Sequence, residues 1–166
     1  GLDRLDTHDL DPLLADLFAL LEAAETDMTL FFRGLAEVPV DETATGAARL
    51  APLRRAFYDV GVLDGPHGDK VVAWLSAWTA RVRAEGLPQE TRVSRMQRAN
   101  PKYVLRNYLA QLAIDAAAQG DTSVIERLLH VLSRPYDDQP EHDDLAEKRP
   151  EWARHRAGCS MLSCSS

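Results

Sequence analysis

Cysteine is almost missing from this 166-residue sequence, and the two present, Cys159 and Cys164, both stand near its end. That excludes the disulfide scaffold of a small secreted domain and favours a reducing, cytoplasmic setting. Long apolar runs are missing as well. None reaches the roughly 18–20 residues of a membrane span, and the longest apolar-rich stretch, residues 10–24, is broken by Asp11, Asp16 and Glu22. Basic charge is in deficit: 19 Lys and Arg face 26 Asp and Glu, a formal net charge of −7. A general nucleic-acid binder needs a basic footprint to release counterions, so that class is disfavoured. No segment alternates apolar and polar residues with β-branched enrichment, so no sheet is expected. No repeat of about 20–50 residues is visible, which disfavours a solenoid. Glycine-rich phosphate loops are absent too: there is no GxGxxG and no Walker motif, and Gly65-Pro66 and Asp69-Lys70 read as turn chemistry. No targeting signal is visible, although the chain opens on Gly1 rather than methionine, so a true N-terminus can be missing.

What is present is helical punctuation. The clearest stretch is residues 100–120, NPKYVLRNYLAQLAIDAAAQG. Asn100 suits an N-cap and Pro101 the first helical position, where its missing N–H has no partner to lose. Val104, Leu105, Tyr108, Leu109, Leu112 and Ala116 then recur with the period of a helix buried along one face. Gly120 supplies a left-handed stop. Asp121 opens a further helix burying Val124, Ile125, Leu128, Leu129 and Leu132.

Upstream, Asp9 or Asp11 precedes Pro12 and a helix burying Leu13, Leu14, Leu17, Phe18 and Leu21. Thr26 is placed as the cap of a short helix carrying Leu30, Phe31 and Leu35. Residues 47–59 read as a helical piece broken at Pro52, and residues 61–68 as a turn. Residues 69–84 form a strong helix in which Trp74 and Trp78, one turn apart, belong to the core. Residues 89–99 are short, helical and basic. These signals predict an all-α protein, an irregular or orthogonal bundle of six or seven helices over residues 1–134.

After Pro135 the character changes. Pro135, Pro140 and Pro150 punctuate an acidic stretch, and residues 135–156 are expected to lie extended on the bundle, anchored by Tyr136 and Trp152. Residues 157–166 are expected to form a mobile, cysteine-bearing tail. Seven carboxylates between Asp137 and Glu151 lack the spacing and turn glycine of a calcium loop, so a solvated or inter-domain face is favoured over a metal site. Arg92, Arg95, Arg98, Lys102 and Arg106 recur every three or four residues. They suit either phosphate contacts or, preferably, pairing with acidic groups of the same fold. Arg106 and Asn107 stand beside a buried stripe, where polar side chains usually have a specific partner. Cys159 and Cys164 lie in small, polar sequence that favours exposed, oxidisable thiols. With His155 they give only three irregularly spaced ligands, too few for a closed zinc site. His8, His67, His130 and His142 are scattered without a general-base pattern.

NPKYVLRNYLAQLAIDAAAQGD, followed in order by RPYDDQPEHDDLAEKRPEWA and the SCSS end, closely resembles the C-terminal region of the SelO family, kinase-like proteins that act as protein adenylyltransferases. The resemblance runs from about Leu30 to Ser166 and is strongest from Met96 onward. It implies that this chain corresponds to the last third of a longer protein, mitochondrial rather than cytoplasmic in a eukaryote. The glycine-rich loop, the lysine–glutamate pair and the HRD-like and DFG-like metal-holding loops of kinase-like transfer would lie upstream. No catalytic, cofactor-binding or metal residue is therefore assigned to this chain. ATP with magnesium or manganese, the upstream kinase-like portion and protein substrates are implied only for the whole protein. Arg106 and Asn107 become candidate polar contacts to that portion. The family carries selenocysteine or cysteine third from its end, the place of Cys164. Members with a second tail residue show a C-x-x-C-like spacing; here Met161 stands at that offset and Cys159 lies five positions before Cys164. The resemblance implies instead a regulatory disulfide between Cys164 and a cysteine outside this chain. The alternative is a stand-alone all-α interaction module without catalysis.

Overall fold

Proline and short polar side chains set where the helices begin in the computed structural model, which describes residues 12–159. The chain divides into two units, Gly1–Asn100 and Pro101–Ser166. Among the described residues there are seven α-helices, several 3-10 turns and no strand, only an isolated bridge between Thr26 and Phe57. The fold is all-α.

In the first unit, α1 spans Pro12–Ala23; the Asp9 and Asp11 proposed to open it lie outside the described residues. The cap of α2 (Met28–Leu35) is Asp27, not Thr26: its carboxylate accepts the Leu30 N–H at 2.9 Å. Thr26 is held elsewhere, because Asp27 N–H donates to Ala56 C=O and Tyr58 N–H to Glu25 C=O on either side of the bridge. Thr45 caps α3 (Gly46–Leu50), and Pro52 turns the chain into a 3-10 helix, Ala51–Ala56, the break expected there. A second 3-10 turn, Val60–Asp64, leads into α4 (Pro66–Ala84), which is followed by α5 (Gln89–Ala99).

The core of this unit gathers on Phe31, 2% exposed, whose ring meets Phe32, Phe57 and Trp74 at centroid distances of 5.7, 6.3 and 6.4 Å. Trp74 and Trp78 stack in the core. Phe18, expected on the buried face of α1, is 46% exposed. Leu17 is the residue of α1 that becomes fully buried, since α1 is apolar on more than one side and only part of that surface is covered.

Gly68, in the first turn of α4, shows how closely the preceding turn is laid down. A Cβ at Gly68 would lie 2.0 Å from the Leu63 carbonyl oxygen, a backbone atom that no rotamer change can move. Gly68→Ala is expected to cost about 1–3 kcal/mol of stability through overpacking, although alanine is the better helix former. The shift in denaturant midpoint checks this. Gly65→Ala, which meets nothing within 4 Å, is the control.

In the second unit the helix expected to be capped by Asn100 starts six residues later, at α6 (Asn107–Ala117), with Arg106 in the cap position. The Asn100 side chain instead donates to Met96 C=O at 2.8 Å, closing the end of α5. Residues 101–106 run without helix because the Tyr103 side chain, 1% exposed, is drawn into the core. The Lys102 and Tyr103 N–H groups both donate to Pro135 C=O, at 2.8 and 3.1 Å. Local capping favoured the earlier start, and burial of one aromatic ring overrode it. Gly120, at φ +83°, ends the α6 region as expected. Asp121 accepts the Ser123 N–H at 2.9 Å and opens α7 (Ser123–Leu132).

Candidate functional site

The basic row is dispersed by the fold. Arg92 is 3% exposed, with its guanidinium carbon 5.9 Å from the centre of a Trp78 ring and Nη2 donating to Val38 C=O at 3.5 Å. Burial pushes its pKa down from the ordinary arginine value. Two further arginines reach the same loop: Arg83 Nη1 donates to Val40 C=O at 2.7 Å and Arg49 Nη2 to Asp41 C=O at 3.0 Å. Side chains of α3, α4 and α5 thus hold the carbonyls of the segment joining α2 to α3. Arg33 of α2, 5% exposed, performs a similar task at the end of α5, donating to the Gln97 and Asn100 carbonyls at 3.0 and 3.1 Å. Those terminal carbonyls have no partner within a helix, and a planar multi-donor group satisfies two at once. Local residue patterns carry no sign of this inward turn, because an isolated arginine in a charged stretch reads as surface.

Lys102 goes to the acidic segment. Its Nζ lies 3.1 Å from Asp138 Oδ1 and 2.7 Å from Asp143 Oδ1. Burial alone would push the ammonium pKa down, but the bonds to Asp143 and Asp138 outweigh it and hold it above the ordinary value. Arg127 of α7 grips Asp144 with both terminal nitrogens, at 3.0 and 2.6 Å, and donates Nε–H to His142 Nδ1 at 3.2 Å. The hydrogen bonds from Arg127 hold the Asp144 carboxyl below its usual range. Charge did not prevent this segment from packing. It forms 3-10 turns at Pro140–Ala146 and Glu151–Arg154, burying Leu145, Ala146 and Ala153. The anchors differ from those expected. Tyr136 is 44% and Trp152 48% exposed, although Trp152 lies edge-on against Tyr108. Gln139, 3% exposed, is the interior anchor: its backbone C=O accepts from the Tyr103 hydroxyl at 2.8 Å, and its Nε2 donates to the Val131 and Arg134 carbonyls. A polar residue beside a proline carries no local signal of burial.

Arg106 is the residue before α6, and its carbonyl accepts from Leu109 and Ala110 N–H, which starts the helix; Asn107 is the first helical residue. Cys164 lies outside the described residues. Cys159 was expected to be exposed and is not: it is 3% exposed, in the same apolar cluster as Leu145 and Ala153. Gly158 is the cause. Its φ of +85° turns the chain inward, and an added Cβ there would lie 2.2 Å from Gln111 Oε1. Exposed sequence composition could not reveal that turn. Among the described residues no three His, Cys, Asp or Glu side chains converge on a point where an ion could sit.

His67, at the start of α4, packs edge-on against Phe57, and its Nε2 is buried without a hydrogen-bond partner among the described residues. Burial, and then the charge of Lys70, push its pKa below the ordinary value of 6.5. The unfolded chain therefore takes up a proton before the folded one does, and stability falls as pH drops below 6.5 through the folded pKa. His67→Phe is expected to flatten that part of the stability profile, as read from urea midpoints between about pH 4 and 7.

No helix among the described residues is long and apolar enough to cross a membrane. The family model of the protein adenylyltransferase SelO matches residues 1–133, so the likeness reaches further upstream than Leu30. The protein nucleotidyltransferase YdiU of Nitrosospira multiformis is 49% identical across 100% of this chain and 33% of its own length. The proteins of the same name from Rhodopirellula baltica and Xanthomonas campestris are 49% and 50% identical, again across the whole chain, and are covered over 32% and 31% of theirs. The chain spans about a third of the length of these curated relatives. With the family model matched over most of its residues, the chain belongs to the SelO family.

Proposed function

We propose that this chain is the C-terminal helical region of a protein adenylyltransferase, and that its work is to support the kinase-like part rather than to carry the chemistry. In the whole protein a Ser, Thr or Tyr hydroxyl oxygen of a protein substrate attacks the α-phosphorus of ATP. The bond to the β-phosphate bridge breaks, AMP is transferred, pyrophosphate leaves and the hydroxyl proton passes to solvent or a base. Magnesium or manganese held by the kinase-like part would neutralise phosphate charge. Arg106 and Asn107 are proposed contacts to that part, and Cys164 a redox control that pairs with a cysteine beyond this chain. A reducing compartment, cytoplasmic or mitochondrial in a eukaryote, suits that control. The observation that carries the supporting role is the inward engagement of the cations: Arg33, Arg49, Arg83 and Arg92 are turned onto carbonyls of their own unit.

The test is AMP transfer from labelled ATP with magnesium or manganese. Activity is expected in the longer protein and not in residues 1–166 alone. Cys164→Ser is expected to remove any loss of activity on oxidation. Label transferred by residues 1–166 alone would overturn the supporting role. Transfer by neither would favour the interaction module.

A further inference from the structure

The second unit carries an apolar groove that its own core does not need. Leu105, Ile114, Ile125 and Leu129 stand at its edges, 55, 57, 37 and 67% exposed. Ala110, Ala113 and Ala117 of α6 line it and leave about 400 Å³ open, with no polar side chain among the lining residues. A solvent-facing helix pair ordinarily presents charge on that side, and contiguous exposed apolar surface of this kind marks an interaction site. The small alanine side chains let a partner's backbone or aliphatic side chains approach closely.

We propose that this groove is the seat of an uncharged, aliphatic face of the kinase-like part of the longer protein, an inference that rests on the function proposed above. The relatives carry about twice this chain's length in addition to the part it matches. A partner on the same polypeptide meets the groove at an effective concentration of about a millimolar, without paying for bimolecular encounter. A second copy is disfavoured by contrast, since each copy carries the formal charge of −7 and repels its like.

The experiment uses the longer protein, with Leu129→Cys in the groove and Ser133→Cys at the exposed end of α7 as reference. Each is treated with a maleimide, and modification is followed at the single site by peptide mass spectrometry. Leu129→Cys is expected to react at least about tenfold more slowly than Ser133→Cys, because occlusion by about 1.4 kcal/mol of local closure gives that factor. Equal rates would overturn the proposal, as would protection lost on dilution, the mark of a second copy. Hydrogen exchange of α6 and α7 in the unsubstituted longer protein gives the same answer should the cysteine variant fold poorly. Labelling needs no ATP, so the two readings fail separately. A protected groove without AMP transfer sinks the function alone, and equal labelling with AMP transfer sinks the docking alone.

Discussion

Phe31→Ala is expected to remove about 3–5 kcal/mol of stability, the range for deleting a buried aromatic ring. The ring is 2% exposed and touches three other aromatic side chains that come from α2, α4 and the turn at Phe57. Its removal leaves a cavity between elements distant in sequence, and backbone held by the Asp27–Ala56 and Tyr58–Glu25 bonds cannot collapse freely to fill it. Each edge-on contact adds about 0.5–1.5 kcal/mol beyond area burial, which places the expectation towards the upper part of that range. The loss should show as faster hydrogen exchange across α2 and α4. The α6 and α7 amides belong to a different apolar cluster and are expected to change much less. Uniform acceleration across both clusters would mean that the two units unfold as one.

The second large effect belongs to Tyr103. Tyr103→Ala is expected to cost about 3–5 kcal/mol and Tyr103→Phe about 1–3 kcal/mol, for different reasons. The phenylalanine variant keeps the ring in its cavity but withdraws the hydroxyl, which donates to Gln139 C=O at 2.8 Å and accepts Gln139 N–H at 3.2 Å. The Gln139 N–H would then be buried without that partner, while the C=O keeps the His142 N–H at 2.8 Å, and an unsatisfied buried donor costs more than the bond it lost. The alanine variant adds the empty volume. Here the exchange readout should reverse, with α6 and α7 losing protection while α2 and α4 keep it. If Tyr103→Phe proves neutral, water has replaced the hydroxyl, and Gln139 is less enclosed than its 3% exposure indicates.

Residue 103 also shows what sequence reasoning can and cannot reach. The all-α class, the break at Pro52, the stop at Gly120 and the core placement of Trp74 and Trp78 were all legible, because each follows from the local conformational preference or spacing of a few neighbouring residues. The start of α6 was not. Asn100-Pro101 is a sound local start signal, yet about 1 kcal/mol of capping preference does not outweigh burial of a tyrosine that reaches a partner 36 residues away. Leu105, Ile125 and Leu129 failed for a related reason. Periodicity identifies an apolar stripe but not whether this chain supplies what covers it. For Cys159, small polar neighbours suggested exposure, and a single left-handed glycine reversed it.

The candidate site divides along the same line. By itself the sequence determined membership of the helical class and its likeness to one family, since helix signals are local and an ordered set of motifs survives without coordinates. Only the tertiary structure decided which cations are structural, which thiol is buried and where the uncovered apolar face lies. Those properties depend on groups brought together from distant positions, where the free energy of burial and of pairing exceeds any local preference.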